Sequence, residues 1–332
     1  MKKMYYAETN SNNPHYNLAY EEMLFKRCER EGVPILFLWQ NEHSVIIGRN
    51  QCAYAECDVE FCLQNDIDIV RRMTGGGAVF HDLGNLNFSI IQPLEQYDIE
   101  KSMTLIVDAL KEIGIIASVN GRNDICISEK KISGNAYYKG EKAGLHHGTL
   151  LFSYNPRIMK AAITPSKSKL LKHGVKSVES RVGDISSVYQ SVSIKLIAEA
   201  IRHSFERDTD LVPFEADTFD LEDLAKIQEK YDSEEWNYNK VREYGLVFED
   251  SFTWGEVSLS INYEDGRLKQ IDISSDSMHV DLIEQIKDKI NDSINKKMEK
   301  DLIFQNIENE YKGDAIISDL ADMWRKVIKN GI

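Results

Sequence analysis

Apolar positions along the chain switch between two spacings, and the switches outline the elements. Residues 17–26 read as a helix, with Leu18, Met23 and Phe25 available for packing. Short runs at Ile35–Trp39, Ser44–Gly48 and Ile67–Arg71 read as strands, and the pattern resumes beyond a glycine cluster at Ala78–His81 and Leu86–Ile91. Leu105, Ala109, Leu110 and Ile113 share one face of a helix over 102–113, with Ser102 as the expected N-cap and Gly114 as the stop. Strands are expected at Ile115–Val119, Ile125–Ser128, Ser133–Tyr138 and Thr149–Tyr154. Periodicity lapses over 167–184, which reads as a long loop, and returns in a helix over 192–205. After a polar, acidic stretch at 232–251, a second set begins. Glu256–Tyr263 and Leu268–Ile273 form a hairpin around Glu264-Asp265-Gly266. Helices marked by Leu282, Ile283, Ile286 and Ile290, and by Ile316 through Ile328, close the chain. We expect two domains, residues 1–247 and 248–332; the smaller, at about 80 residues, can hold a core of its own.

Composition narrows the setting. The 332 residues are 42% hydrophobic and 28% charged, too apolar for a disordered chain. The longest apolar run, Val33 to Trp39, is far short of the roughly 18 residues that suggest a membrane span. Met1 to Tyr6 lacks the apolar stretch of a signal peptide, so the expected location is the cytoplasm, with no membrane partner. Forty Lys and Arg against 54 Asp and Glu give a net charge of −14. That balance lacks the footprint of a nucleic-acid binder, and an anionic ligand needs a local cationic site. Cys28, Cys52, Cys57, Cys62 and Cys126 are odd in number and form no CxxC, so they read as free thiols.

Four segments carry candidate chemistry. In Arg71-Arg72-Met73-Thr74-Gly75-Gly76-Gly77-Ala78-Val79-Phe80-His81-Asp82, the glycine N–H groups can line an anion site and the arginines supply bidentate positive charge. No Gly-Lys-Ser/Thr follows, and the glycines lead into a strand, which excludes a Walker loop and a dinucleotide fingerprint. Gly121-Arg122-Asn123-Asp124 is a turn ending in a hard oxygen ligand suited to Mg²⁺, and Lys131 follows at the mouth of a strand. His146 and His147 are adjacent, so one is expected to point inward and one outward, which makes them poor joint metal ligands. Lys176 to Asp184 puts Lys and Arg on the long loop, a segment able to close over a nucleotide. Each has a blander alternative: a flexible hairpin, a solvated Lys pair beside a turn Asp, a packed histidine, a disordered connection.

Together these segments resemble the lipoate–protein ligase family within the biotin/lipoate ligase superfamily. The matching segments are Asn17-Leu18-Ala19, residues 71–85, 121–124, 131–137, 146–151 and 177–186, with Trp236-Asn237-Tyr238 and Phe252-Thr253-Trp254-Gly255 extending the match. The resemblance implies an α+β fold of mixed, largely antiparallel sheets with flanking helices and a small α+β accessory domain. It implies ATP-dependent activation of lipoate to lipoyl-AMP, then transfer to a lysine of lipoyl-domain acceptors: E2 subunits of 2-oxoacid dehydrogenases or the glycine-cleavage H protein. It further implies that Lys131 lies between the lipoate carboxylate and the α-phosphate, and that Asp124 holds Mg²⁺. Arg72 and the N–H groups of Gly75, Gly76 and Gly77 would cradle the adenylate, with Ala78, Val79 and Phe80 forming the nucleotide-contacting strand. Asn123 would reach phosphate or ribose, Ser177 and Arg181 would close over the nucleotide, and Leu18, Gly76 and His147 would line the lipoate pocket.

Asn135 stands where the family commonly has Ser, and Asn239 and Arg242 where many members have Gly and Pro. Two other readings share the fold. An ATP-independent octanoyl or lipoyl transferase needs a cysteine nucleophile, and residues 115–120 contain none, leaving only Cys126 downstream. A binding protein without catalysis would not need Lys131, Asp124 and Arg72.

Overall fold

The computed structural model describes residues 2–121, 124–163, 182–238, 246–264 and 267–329. Its main layer is an eight-stranded sheet. In spatial order the strands are β11 (Thr209–Pro213), β1 (Lys2–Glu8), β2 (Ile35–Trp39), β6 (Asn85–Pro93), β10 (Ala143–Leu151), β9 (Lys130–Lys139), β8 (Asp124–Ile127) and β7 (Ser118–Asn120). β1 runs parallel to both neighbours and the other pairs are antiparallel. A second sheet orders β4 (Asp68–Arg71), β3 (Ser44–Ile47) and β5 (Val79–His81). The fold class is the expected mixed α+β.

Both faces of the large sheet are covered. Leu36, Leu38, Leu86, Phe88 and Ile90 pack under α4 (Ile99–Glu112) and α6 (Ile194–Glu206). Ile35, Phe37, Trp39, Ile91 and Leu145 pack against α1 (Pro14–Glu31) and α7 (Thr218–Asp232). Odd and even side chains of β2 therefore meet a core on either side, which explains its unbroken apolar run. The same cover corrects the expectation for the histidine pair. His146 and His147 face opposite sides of β10, yet both are buried.

Several boundaries move for identifiable reasons. The helix expected over 17–26 runs from Pro14 to Glu31: Asn13 caps it by accepting from Tyr16 N, and Gly32 ends it at φ 68°. Its apolar pattern understates it because Glu21 and Arg27 are buried polar residues, Arg27 paired with Asp217 and Asp220. α4 starts at Ile99, capped by Asp98, while Ser102 lies inside the helix with its hydroxyl on Asp98 O. β10 begins at Ala143, so both histidines are mid-strand. β1, β11, α2 (Ala53–Glu56), α3 (Val59–Gln64), α5 (Pro156–Ala162), α7 and α8 (Glu234–Tyr238) carry no expectation from the periodicity. Of the expected loop over 167–184, residues 167–181 lie outside the described residues, as does Asp265-Gly266 of the hairpin turn.

The C-terminal part pairs β12 (Leu246–Phe252), β13 (Gly255–Glu264) and β14 (Arg267–Ser275) with α9 (Val280–Asn295), α10 (Lys300–Glu310) and α11 (Ala315–Lys329). Leu259, Ile273, Ile286, Phe304, Leu320 and Trp324 belong to one core there. We propose two units, with β12 assigned to the second.

His15, in the first turn of α1, links three segments. Its Nδ1 donates to Tyr231 O at 2.6 Å, with the carboxylates of Asp68 and Asp232 at 3.9 and 3.8 Å. Burial disfavours the charged ring, but the carboxylate of Asp68, the carbonyl of Tyr231 and the carboxylate of Asp232 outweigh it, and the pKa is raised above 6.5. A raised folded value means the contribution is complete below the unfolded pKa and lost as pH rises through the folded one. In urea titrations, the stability difference between the native protein and His15→Asn should be larger at about pH 6 than at about pH 8. Equal differences at both values would show that the pairing is not charge-linked.

Candidate active site

Strand register builds the floor of a cavity. Asn87 of β6 lies opposite Trp39 of β2 on one side and Thr149 of β10 on the other. Two residues along, Ser89 lies between Phe37 and His147, and His147 faces Ala136 of β9. Side chains two apart share a face, so one surface of the sheet carries Asn87, Ser89, Thr149 and His147 among apolar neighbours. α1 covers it with Leu18, and Ile46, the glycine segment and Met278 complete the walls of a cavity of about 140 Å³.

The glycine segment is held from beneath. Arg72 is buried, and its guanidinium donates to Ile46 O, Gly75 O, Gly77 O and Thr74 Oγ1 at 2.6–3.2 Å. Burial pushes its pKa down to about 10, so it stays charged near neutral pH. Gly76 adopts φ +92°, and a side chain there would meet Arg72 and Met278. Gly75 has no room either: a Cβ would sit 2.1 Å from Ser277 O. The N–H of Gly76 donates to Asp276 O at 3.2 Å. The segment after β14 thus rests directly on the glycines, and that N–H is engaged within the protein.

A buried polar chain runs under the cavity. Trp39 Nε1 donates to Ser89 Oγ, Ser89 Oγ donates to Glu21 Oε1, and Glu21 faces His147 Nδ1 at 2.9 Å. The carboxylate accepts, so Nδ1 carries a proton. His147 Nε2 then meets Thr74 Oγ1 at 2.8 Å, returning the chain to Arg72. On the far face, His146 Nε2 meets Asn135 Oδ1 at 3.0 Å, and burial pushes its pKa down to about 3, so the ring is neutral. Asn135 fits because residue 148 is glycine; a Cβ there would lie 2.3 Å from Asn135 Oδ1.

The remaining cation is at the rim. Lys131 lines the cavity, 37% exposed in its side chain, and its Nζ is 2.7 Å from Asp124 Oδ1. Gly134 lies under it: a Cβ at 134 would come within 3.5 Å of Nζ. Gly183 N donates to Lys131 O at 2.9 Å, anchoring the chain that follows residue 181. Cys126 is paired with Lys131 in the β8–β9 register, buried, with its pKa raised chiefly by that burial.

Leu18, Arg72, Gly76, Gly77, Ala78, Val79, Lys131 and His147 thus converge on one cavity, with Asp124 joined through its ion pair. Residues 13–206 match the family model of the lipoyl protein ligase A/B catalytic domain, and 242–323 that of the bacterial lipoate protein ligase C-terminus. A lipoate-protein ligase A of Psychrobacter cryohalolentis is 34% identical over 294 residues, 84% of this chain and 85% of that protein. The chain belongs to the lipoate–protein ligase family. Among solved structures, Plasmodium falciparum LipL1 in complex with lipoate is 26% identical with a TM-score of 0.77, over 97% of this chain and 100% of that one. A lipoate-protein ligase A bound with ATP is 29% identical, TM-score 0.62, over 73% and 100%. The bipartite ligase of Thermoplasma acidophilum, described with its E2 lipoyl domain, is 29% identical, TM-score 0.65, over 74% and 100%.

Against the family pattern, some expected residues stand elsewhere. Phe80 packs with Val45, Ile47 and Ile69, because in β5 it alternates with Val79 and His81, which line the cavity. Arg71 turns away from Arg72 and carries no cavity surface. It donates to the carbonyls of Gly48, Arg49, Gln51, Trp236 and Asn237. Asn123, Ser177 and Arg181 lie outside the described residues. Glu21, Trp39, His81, Asn87 and Met278 went unpredicted. The polar alternation Asn85, Asn87, Ser89 was a usable signal, since a buried strand with one polar face marks a cavity as readily as a surface. No helix among the described residues is long and apolar enough to cross a membrane.

Proposed function

We propose that the chain activates lipoate with ATP, forming lipoyl-AMP and pyrophosphate, and passes the lipoyl group to a specific lysine of a lipoyl-domain protein. Candidate acceptors are E2 subunits of 2-oxoacid dehydrogenases and the glycine-cleavage H protein, and the role is lipoate salvage in the cytoplasm. The observation that carries the reading is the Lys131 ammonium at the rim, braced by Asp124, in a cavity it shares with the glycine segment. Lipoate bound to one relative, ATP bound to another and an E2 lipoyl domain described with a third support it.

The chemistry asks for little beyond position and charge. A carboxylate oxygen attacks the α-phosphorus of ATP and pyrophosphate leaves; the acceptor amine then attacks the acyl carbon, AMP leaves and the amine proton is released. Two anions must meet in the first step, and Lys131 is the cation between them. Arg72 serves by shaping the glycine segment and adding fixed charge beneath it. Leu18 and His147 border the acyl chain, and Ala78 and Val79 the nucleotide side. Before Gly76 N–H can face a phosphate, Asp276 O has to withdraw from it.

Asp124 suits magnesium delivered with ATP: a single hard carboxylate, one oxygen on Lys131, meets an ion that keeps its waters and phosphates and needs only one or two protein ligands. Such an ion would supply charge neutralisation on the phosphates. The transferase alternative needs a thiolate, and burial keeps the Cys126 thiol protonated.

Acid-dependent exchange of pyrophosphate into ATP tests the proposal, with lipoate, octanoate and biotin compared on the full chain. Lipoate should support exchange and biotin should not. Exchange with biotin alone, or with none of the acids, would overturn the reading.

A further inference from the structure

Among the described residues, eight buried side chains carry a nitrogen or oxygen with no hydrogen-bond partner. Only His81 and Asn87 of those eight line the cavity. They are 3% and 1% exposed.

Both orphan atoms are donors. Asn85 Nδ2 donates to Asn87 Oδ1 at 2.7 Å, which leaves Asn87 Nδ2 without an acceptor. Turning that amide over would set two NH₂ groups against each other. His81 Nδ1 lies 3.2 Å from Nδ2 of Asn41, whose own oxygen accepts from Asn17. Nδ1 therefore accepts, and the ring proton sits on the unpartnered Nε2. Burial pushes the pKa of His81 down to about 3, so the ring is neutral and has one proton to offer. Native proteins rarely bury a donor without an acceptor. Two lining one cavity mark where an acceptor belongs.

Their position along the cavity is informative. Asn87 sits opposite Trp39, whose ring centroid is 6.1 Å from that of His81. Lys131 overhangs Gly134 on β9, and β10 separates β9 from β6. Asn87 on β6 and Gly134 on β9, which lies under the ammonium, are thus two strand spacings apart, about 10 Å. An extended eight-carbon acid reaches across a comparable length, carboxylate at Lys131 and far end at the donors.

We propose that His81 and Asn87 set acyl specificity: two buried N–H donors that receive a polarisable acceptor, the sulfur of a dithiolane ring, and disfavour the methyl end of a straight-chain acid of equal length. This rests on the acid-activating reading above. Sulfur is a weak acceptor, but a methyl group is none, and a site built to donate rejects the analogue that leaves its donors unpaired.

The test compares kcat/KM for lipoate and octanoate in pyrophosphate exchange by the full chain, for the native protein, Asn87→Leu and His81→Phe. The native protein should favour lipoate by about tenfold or more, and Asn87→Leu should cut that ratio by about fivefold or more. His81→Phe should move the ratio the same way, and its separate contacts keep the test open if Asn87→Leu does not fold. Ratios within about twofold of the native value in the folded variants would overturn the inference while leaving acid activation standing. Absence of exchange with either acid in the native protein would overturn both.

Discussion

Replacing Lys131 with alanine should abolish lipoyl-AMP formation, lowering lipoate-dependent pyrophosphate exchange by about a thousandfold or more. The effect should fall on kcat as well as kcat/KM, because the charge is needed most as the carboxylate closes on the phosphate. Stability should be nearly unchanged. The side chain is more than a third exposed and its ion pair is with Asp124, itself 34% exposed, and pairs of that kind contribute little. A thermal midpoint within a few degrees of the native value is the check that the fold survives. Lys131→Arg keeps the charge but spreads it over a plane, so part of the activity should return. Normal exchange in Lys131→Ala would remove the central cation from the mechanism.

Arg71→Met should be the most destabilising single change. Arg71 is 1% exposed, and its guanidinium donates to five carbonyls from two distant stretches, 48–51 and 236–237. Burial without a facing carboxylate already pushes its pKa down to about 10. Methionine would fill the volume and leave those carbonyls without their donors, at about 1–3 kcal/mol for each that stays dry. Allowing for relaxation, we expect a loss of about 4 kcal/mol and a fall in midpoint of roughly 10 °C by calorimetry. A midpoint within about 2 °C of native would show that water satisfies the site. Arg71→Lys should rescue little, since an ammonium has three donors for five acceptors.

These two neighbours illustrate what could be read from the chain and what could not. The block at 71–85 announces an anion site by composition, and the two hydrophobic periods outline most of the strands and the long helices. Arg71 and Arg72 look equivalent in that block. Their separation into a pin and a cradle depends on Gly48, Ile46 and Trp236, partners far away along the chain. Asn85, Asn87 and Ser89 carry no expectation from the apolar pattern, yet all three are buried, and Asn87 lines the cavity. Glu21 goes unremarked within a helix marked by Leu18, Met23 and Phe25, yet it fixes His147. Phe80 is expected among the nucleotide contacts by its place in the block, but the alternation of β5 turns it into a core and leaves Val79 and His81 lining the cavity.

The wall contributed by Met278 bears on how the molecule is made. Leu18, Trp39, Arg72, Lys131 and His147 are translated well before it, and helices that complete the second core come later still. A nascent chain emerging from the ribosome can shape the sheet and the polar chain beneath the cavity, but the opening over Gly76 is not closed until residue 278 has been added. Termination between Asn237 and that methionine should therefore leave the catalytic sheet with an unroofed pocket, a product that chaperones and proteases would meet with its glycines bare.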